Sequence, residues 1–291
     1  MLKKFLNPKN LVLRLFRLSN HLPPPIQTRI QWRLFCTPFV HRRSRQQLEF
    51  LSRGKPFSIP SGKHYRLQGW AFGQKGPTAI CCHGWQGSAA SWFVLAPKLL
   101  EAGFRVLVYN APGHHSRPIR SSLPDFSQAL TDMVETFGAD VLVGHSFGAM
   151  TVARVARSLP DLRGAVLISS PDTLEALARG FCQTLMMDHD AEARFLQHLS
   201  ELSGSRLQEE SVCSYAREVS CPMLLLHDED DDVIPISTSK AISASANSAL
   251  HVSQGFGHRH IIRDSALSEK TVEFLKQCVS PPIASAERSQ S

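Results

Sequence analysis

The first 48 residues contain neither aspartate nor glutamate. Residues 1–50 hold ten Lys/Arg (Lys3, Lys4, Lys9, Arg14, Arg17, Arg29, Arg33, Arg42, Arg43 and Arg45) against one acid, Glu49. The chain's net charge of +7 therefore belongs to this segment, and residues 51–291 sit at −2. No zinc finger, helix-turn-helix or aromatic ribonucleoprotein motif accompanies the basic charge, which argues against a nucleic-acid partner. No run of about 20 uninterrupted apolar residues exists, so no membrane-spanning helix is expected. The seven cysteines (36, 81, 82, 182, 213, 221, 278) are odd in number and include no CxxC pair. Several lie in apolar runs such as Ala79-Ile80-Cys81-Cys82 and read as buried thiols in a reducing compartment. The 13 histidines include no HxxxH pair and no Cys/His finger spacing. Neither a metal nor a cofactor is expected.

The basic segment does not read as a secretory leader. Its apolar stretch Leu11–Leu18 is broken by Arg14 and Arg17, and no small-residue cleavage site follows. Two readings stay open for a basic amphipathic helix that ends at Pro23-Pro24-Pro25. Its apolar face packs on the protein's own body, or it makes a weak peripheral contact with an anionic membrane surface. A second short helix is expected around Gln31–Phe35. The expected location is the cytoplasm, with the inner membrane surface as the alternative.

The body alternates short apolar strands with helices. Strands are expected over 65–72, 78–82, 105–109, 140–143, 164–169, 222–226 and 250–252. Helices are expected over 89–102, 125–136, 149–156, 237–246 and 266–278, with a mostly helical stretch over 172–219. This pattern predicts an α/β architecture with a mainly parallel, doubly wound sheet covered on both faces. The division is an N-terminal extension over 1–60, a main domain over 61–280 with a small helical cap at about 172–219, and a disordered tail over 281–291. In such sheets the site forms at the carboxyl ends of the strands.

The informative residues do follow strands. After 78–82 comes His83-Gly84-Trp85-Gln86-Gly87. After 105–109 comes Asn110-Ala111-Pro112-Gly113-His114-His115-Ser116. Gly144-His145-Ser146-Phe147-Gly148 lies between the apolar run Val141–Val143 and a helix, the context of a nucleophile elbow. After 222–226 comes His227-Asp228-Glu229-Asp230-Asp231-Asp232-Val233-Ile234-Pro235. After 250–252 comes Gly255-Phe256-Gly257-His258-Arg259-His260.

Taken in this order, these motifs resemble the α/β-hydrolase-fold serine hydrolases, most closely the single-domain bacterial type with an HD-x-x-D acid loop. The resemblance runs from about residue 65 to 278. It implies Ser146 as nucleophile, His258 as base and Asp231 as the acid, with Asp172 and His260 as runners-up. Asp228, Asp230 and Asp232 crowd the same acid loop. It further implies an oxyanion hole of the Trp85 and Phe147 backbone N–H groups. His83, Trp85 and His145 are taken as pocket residues; holding loops by hydrogen bonds is the alternative work for the two histidines. Asn110 and His115 depart from the aspartate and glycine common in the family. Phe181, Leu185, Met186, Met187, Phe195 and Leu196 would give the cap an apolar underside, or serve ordinary helix packing.

The function expected is cleavage of a small carboxylic ester or thioester through an acyl-enzyme. Carbon–carbon bond hydrolysis, acyl transfer or a membrane-surface lipase activity are alternatives on the same fold, and a non-catalytic binding module is the alternative from another class. Dehalogenase and epoxide hydrolase chemistry is disfavoured, because those enzymes use a carboxylate where this chain has Ser146.

Overall fold

A computed structural model describes residues 17–39, 42–62, 65–114, 119–203, 206–246 and 248–280. Most of the helix expected over Leu11–Leu18, the departure at His115 and the tail from Pro281 lie outside the described residues.

The centre of the protein is a run of five parallel strands: β3 (Thr78–Cys82), β4 (Arg105–Asn110), β5 (Val141–His145), β6 (Gly164–Ile168) and β7 (Met223–Asp228). These strands are buried at nearly every position. Continuous apolar runs of this kind suit a sheet covered on both faces. Alternate side chains leave in opposite directions. Ile80, Leu107, Leu142, Leu167 and Leu225 enter one core with Phe126, Met133 and Met150. Ala79, Val106, Val143, Val166 and Leu224 enter a second core with Trp92, Leu99 and Leu275. The first layer is built on α4 (Leu123–Phe137) and α5 (Phe147–Ala156), the second on α3 (Leu95–Glu101) and the C-terminal helix Ser265–Val279.

The full strand order is β1-β2-β4-β3-β5-β6-β7-β8. β8 (Ala249–Ser253) extends the parallel run, while β2 (Tyr65–Phe72) joins β4 antiparallel and β1 (Lys55–Ser61) joins β2 antiparallel. β1 is a correction to the expected division: the sheet begins at Lys55, inside the segment assigned to the extension. Pro56 and Pro60 obscure it in the sequence, and prolines are tolerated there because β1 is an edge strand. Pro24 and Pro25 open α1 (Pro24–Phe35), where the missing N–H costs nothing, so the helix expected around Gln31–Phe35 begins earlier than the sequence suggests. Helix α2 (Arg45–Ser52), also unforeseen, starts from a capping box between Ser44 and Gln47.

The stretch between β6 and β7 folds as α6 (Leu174–Leu185), α7 (His189–Ser203) and α8 (Val212–Glu218). Its base is tied by Asp172, whose carboxylate accepts from Ser211 Oγ and the Cys213 N–H, both at 2.9 Å. The described part of the basic segment packs on this insertion. Phe35 meets Phe181 and Phe195 edge-on at 5.2 and 5.6 Å, and Trp32 meets His198 at 5.8 Å. Asn20 Nδ2 donates to the carbonyls of Leu185 and Met186, and Arg194 donates to Gln27 Oε1. Phe181, Leu185 and Phe195 are therefore engaged in helix packing, whereas Met186 is 67% exposed.

Between Phe35 and Phe181, Phe195 is the fully buried member of this contact. Phe195→Ala is expected to cost about 3–5 kcal/mol in urea unfolding and to make residues 17–39 the first site of limited proteolysis. Wild-type protection of that segment would show that the aromatic contact does not hold it.

Candidate active site

The chain turns sharply where β5 gives way to α5. Ser146 sits at φ 54°, ψ −121°, a conformation that costs a non-glycine residue on the order of 1–3 kcal/mol and persists only when the surroundings enforce it. Here they do. The Ser146 N–H donates to the Ile168 carbonyl on β6 at 2.8 Å, and the Ser146 carbonyl accepts from the Ala149 N–H. The two flanking glycines serve close approach. A Cβ on Gly148 would press into the carbonyl oxygens of Cys82 and His83, and one on Gly144 into the Gly148 carbonyl oxygen. Elbow and β3 thus touch backbone to backbone, and any side chain at Gly148 would prise them apart.

The loops at the carboxyl ends of β5, β7 and β8 meet over the elbow. Ser146 Oγ lies 2.9 Å from His258 Nε2, and His258 Nδ1 lies 2.8 Å from Asp231 Oδ2. With Nδ1–H donating to the carboxylate, Nε2 is left to accept the serine proton. Ser146 and His258 are buried, and the Asp231 side chain has no exposed surface. Burial pushes the Asp231 carboxyl up, but the His258 hydrogen bond and charge and the Ile234 and Val233 N–H groups outweigh it and hold it below its ordinary value. Asp231 is therefore ionised at neutral pH.

The other acids of the loop have different partners. Asp228, fully buried, accepts from Ser253 Oγ and from the N–H groups of Asp230, Phe256 and Gly257. It stitches the acid loop to the loop that carries His258. Its position as the last residue of β7 was the available signal for that task. Asp230 accepts from the Gly255 N–H, and Asp232 is exposed. Asp172 is occupied with Ser211 and Cys213, and His260 is exposed two residues beyond His258. Neither runner-up is brought to Ser146.

Four buried histidines lace these loops together. His83 donates from Nδ1 to the Gly84 carbonyl and accepts the Ala111 N–H at Nε2, joining the loops after β3 and β4. His114 donates to the Pro112 carbonyl and accepts from the Gln86 N–H. His145 donates from Nε2 to the carbonyl of His258 at 2.8 Å, tying the elbow to the base's own loop. His227 donates to the Ile234 carbonyl and accepts from Ser239 Oγ. Burial, the largest cause in each case, lowers His83 and His145 to about 3 and His114 to about 4. His83, expected to line a pocket, is instead 1% exposed with both nitrogens engaged, and the loop-holding alternative applies to it and to His145.

The Trp85 ring lies at 5.1 Å from His114, 5.5 Å from Phe147 and 6.0 Å from Phe126. Its indole thus packs against the residue that follows Ser146, and Phe126, which the sequence reading passed over, is the fully buried centre of that cluster. Among the described residues, the backbone N–H groups of Trp85 and Phe147 have no hydrogen-bond partner. Asn110 Oδ1 accepts from the Ala89 N–H, so its departure from aspartate leaves that loop contact in place. No three His, Cys, Asp or Glu side chains among the described residues are grouped to hold a metal ion.

Residues 77–181 match the family model of the alpha/beta hydrolase fold. The chain is 28% identical over 238 residues to Esterase YjfP of Escherichia coli (strain K12), covering 72% of this chain and 94% of that protein. It is 35% identical over 102 residues to Methylesterase 9 of Arabidopsis thaliana, a local match covering 38% of the plant protein. In fold it superposes on an esterase of Pyrococcus furiosus with a TM-score of 0.63 at 18% identity, covering 84% of this chain and 97% of that one.

The histidine ties carry a pH signature. Their folded-state values lie below the ordinary 6.5, so below pH 6.5 the unfolded chain binds more protons and stability falls as the pH drops. The loss continues down to about 4 for His114 and about 3 for His83 and His145. Each contributes up to ~1.4 kcal/mol per pH unit. In urea unfolding between pH 6 and 5, His145→Gln should shrink the slope by about that amount, and an unchanged slope would refute the tie.

Proposed function

We propose that this chain, which is one of the hydrolases of the α/β-hydrolase fold, cleaves a carboxylic ester or thioester through an acyl-enzyme on Ser146. The observation that carries this reading is the pair of hydrogen bonds from Ser146 Oγ to His258 Nε2 and from His258 Nδ1 to Asp231 Oδ2, made at a strained elbow. A serine hydroxyl is a weak nucleophile until a base takes its proton during attack.

In the first half-reaction, Ser146 Oγ bonds to the substrate carbonyl carbon while its proton passes to His258 Nε2. The imidazolium so formed faces the Asp231 carboxylate, which stabilises it and keeps the ring from rotating. The carbonyl oxygen becomes an oxyanion between the Trp85 and Phe147 N–H groups, whose lack of partners among the described residues supports this role. Such donors are each worth roughly 10²–10³ in rate. Collapse breaks the bond to the alcohol or thiol, which leaves with the proton from His258. Water then attacks the acyl-enzyme with His258 again as base, and the acid is released.

Four of the neighbouring histidines are held neutral, so the imidazolium of the reaction forms next to dipoles rather than next to like charge. The reading favours small acyl groups: the aromatic side chains near Ser146 are packed against each other, and the insertion's Phe181 and Phe195 are engaged by Phe35.

Incubation with a fluorophosphonate followed by intact-mass spectrometry should give one adduct on Ser146, absent in Ser146→Ala and His258→Ala. Turnover of short-chain esters should fall by roughly 10³–10⁶ in Ser146→Ala and by about 10⁴ in Asp231→Asn, with unfolding midpoints near wild type. A folded protein without an adduct would favour a binding module over an enzyme.

A further inference from the structure

The basic segment has an outer face as well as the one it packs on the insertion. Leu18, Leu22 and Ile26 are 59%, 38% and 52% exposed. They lie within nine residues of one another, on the 3₁₀ turn Leu18–His21, at the extended residue Leu22 that follows it and in the first turn of α1. The insertion adds to this face. Asn20, between Leu18 and Leu22, donates to the carbonyls of both Leu185 and Met186, bringing the α6–α7 corner alongside. At that corner Met186 takes a left-handed φ of 56°, where glycine is the usual occupant, and holds its side chain out in solvent. Exposed large apolar side chains grouped on two elements mark an interaction surface.

Its electrostatic surroundings identify the partner. Arg29 and Arg33 follow Ile26 at helical spacing and are exposed. No acid occurs among residues 17–39, and residues 1–16 add Lys3, Lys4, Lys9 and Arg14 to the same end of the sequence. Of the acids of the insertion nearest in sequence to Met186, Asp188 caps α7 at the Ala191 N–H and Glu192 pairs with Arg179, while Asp190 stands exposed beside His189. A second copy docking through this face would set two such basic segments against each other. An anionic lipid surface offers both what the arginines and what the apolar side chains require.

We propose that Leu18, Leu22, Ile26 and Met186, flanked by Arg29 and Arg33, form a docking face for an anionic lipid surface. The apolar side chains enter the headgroup boundary and the guanidinium groups stay at phosphate level. Because Met186 belongs to the insertion, docking brings the insertion itself against the lipid. The proposal does not rest on the catalytic reading, and its test does not measure turnover.

The test is co-sedimentation of the full chain with vesicles of phosphatidylcholine alone and of phosphatidylcholine with phosphatidylglycerol, at about 0.1 M salt where surface charge still acts over about 10 Å. Binding to the phosphatidylglycerol vesicles and much weaker binding to phosphatidylcholine alone is expected. Leu22→Ser, Ile26→Ser and Met186→Ser combined should lower the partition coefficient at least about tenfold. Arg29→Gln and Arg33→Gln should lower it about fivefold each, and raised salt should mimic them. All these positions are exposed, so the unfolding midpoint should stay near wild type and report that the variants are folded. No binding by the wild type, or equal binding by the folded triple variant, would overturn the proposal. So would a wild-type dimer in sedimentation velocity that the triple variant dissolves, since that would assign the face to a second copy.

Discussion

Everything at the candidate site depends on the backbone being able to cross from β5 into α5 within one residue. Ser146 takes the strained conformation, and β3 and β6 hold it there: the Ile168 carbonyl accepts its N–H, and the Cys82 and His83 carbonyls abut Gly148 so closely that no side chain fits. The strain is thus distributed over a sheet whose central strands are buried on both faces. A serine hydroxyl raised from the sheet in this way meets only what the neighbouring strand ends bring to it.

What they bring is positioned by hydrogen bonds to one buried carboxylate and to neutral imidazoles. Asp228 ties the acid loop to the His258 loop through three donors, Ser253 Oγ and the Phe256 and Gly257 N–H groups, and His145 ties the elbow to that same loop through the His258 carbonyl. His83 and His114 do the equivalent between the loops after β3 and β4, with each ring using one nitrogen to donate and the other to accept. Burial keeps them neutral, which suits a site where positive charge appears transiently on His258. Histidine fits these places because a neutral imidazole is both a donor and an acceptor across a rigid ring, so it can span two loops without water.

Among the described residues, the basic N-terminal segment is joined to the rest of the fold through aromatic edges and hydrogen bonds rather than through ion pairs. Phe35 meets both Phe181 and Phe195, and the Trp32 ring receives the Arg120 guanidinium at 4.6 Å as well as the edge of His198. Its arginines at 29 and 33 are left to solvent, so packing and charge occupy opposite sides of one helix. The inner face of the described part packs on the protein, and the outer face is displayed.

The parallel strands, the elbow and the order of the strand-end motifs were legible in the sequence because each is local. An apolar run, a glycine-flanked serine and a helical period are written in consecutive residues. β1 and the start of α1 were not, because prolines there read as breaks until an edge position and a helix's first turn make them harmless. Four aspartates within five residues look alike in sequence. Only the pairing of β7 with β8, which sets His227 beside Val252 and Asp228 beside Ser253, turns Asp231 toward His258 and Asp228 toward the loop's backbone. Likewise His145 announces a motif, but its partner is a carbonyl 113 residues away. The sequence by itself determined which residues could do the chemistry and at which strand ends they stand. The tertiary structure decided which of them meet, because hydrogen-bond partners between loops follow from the register of distant strands and not from the spacing of neighbours.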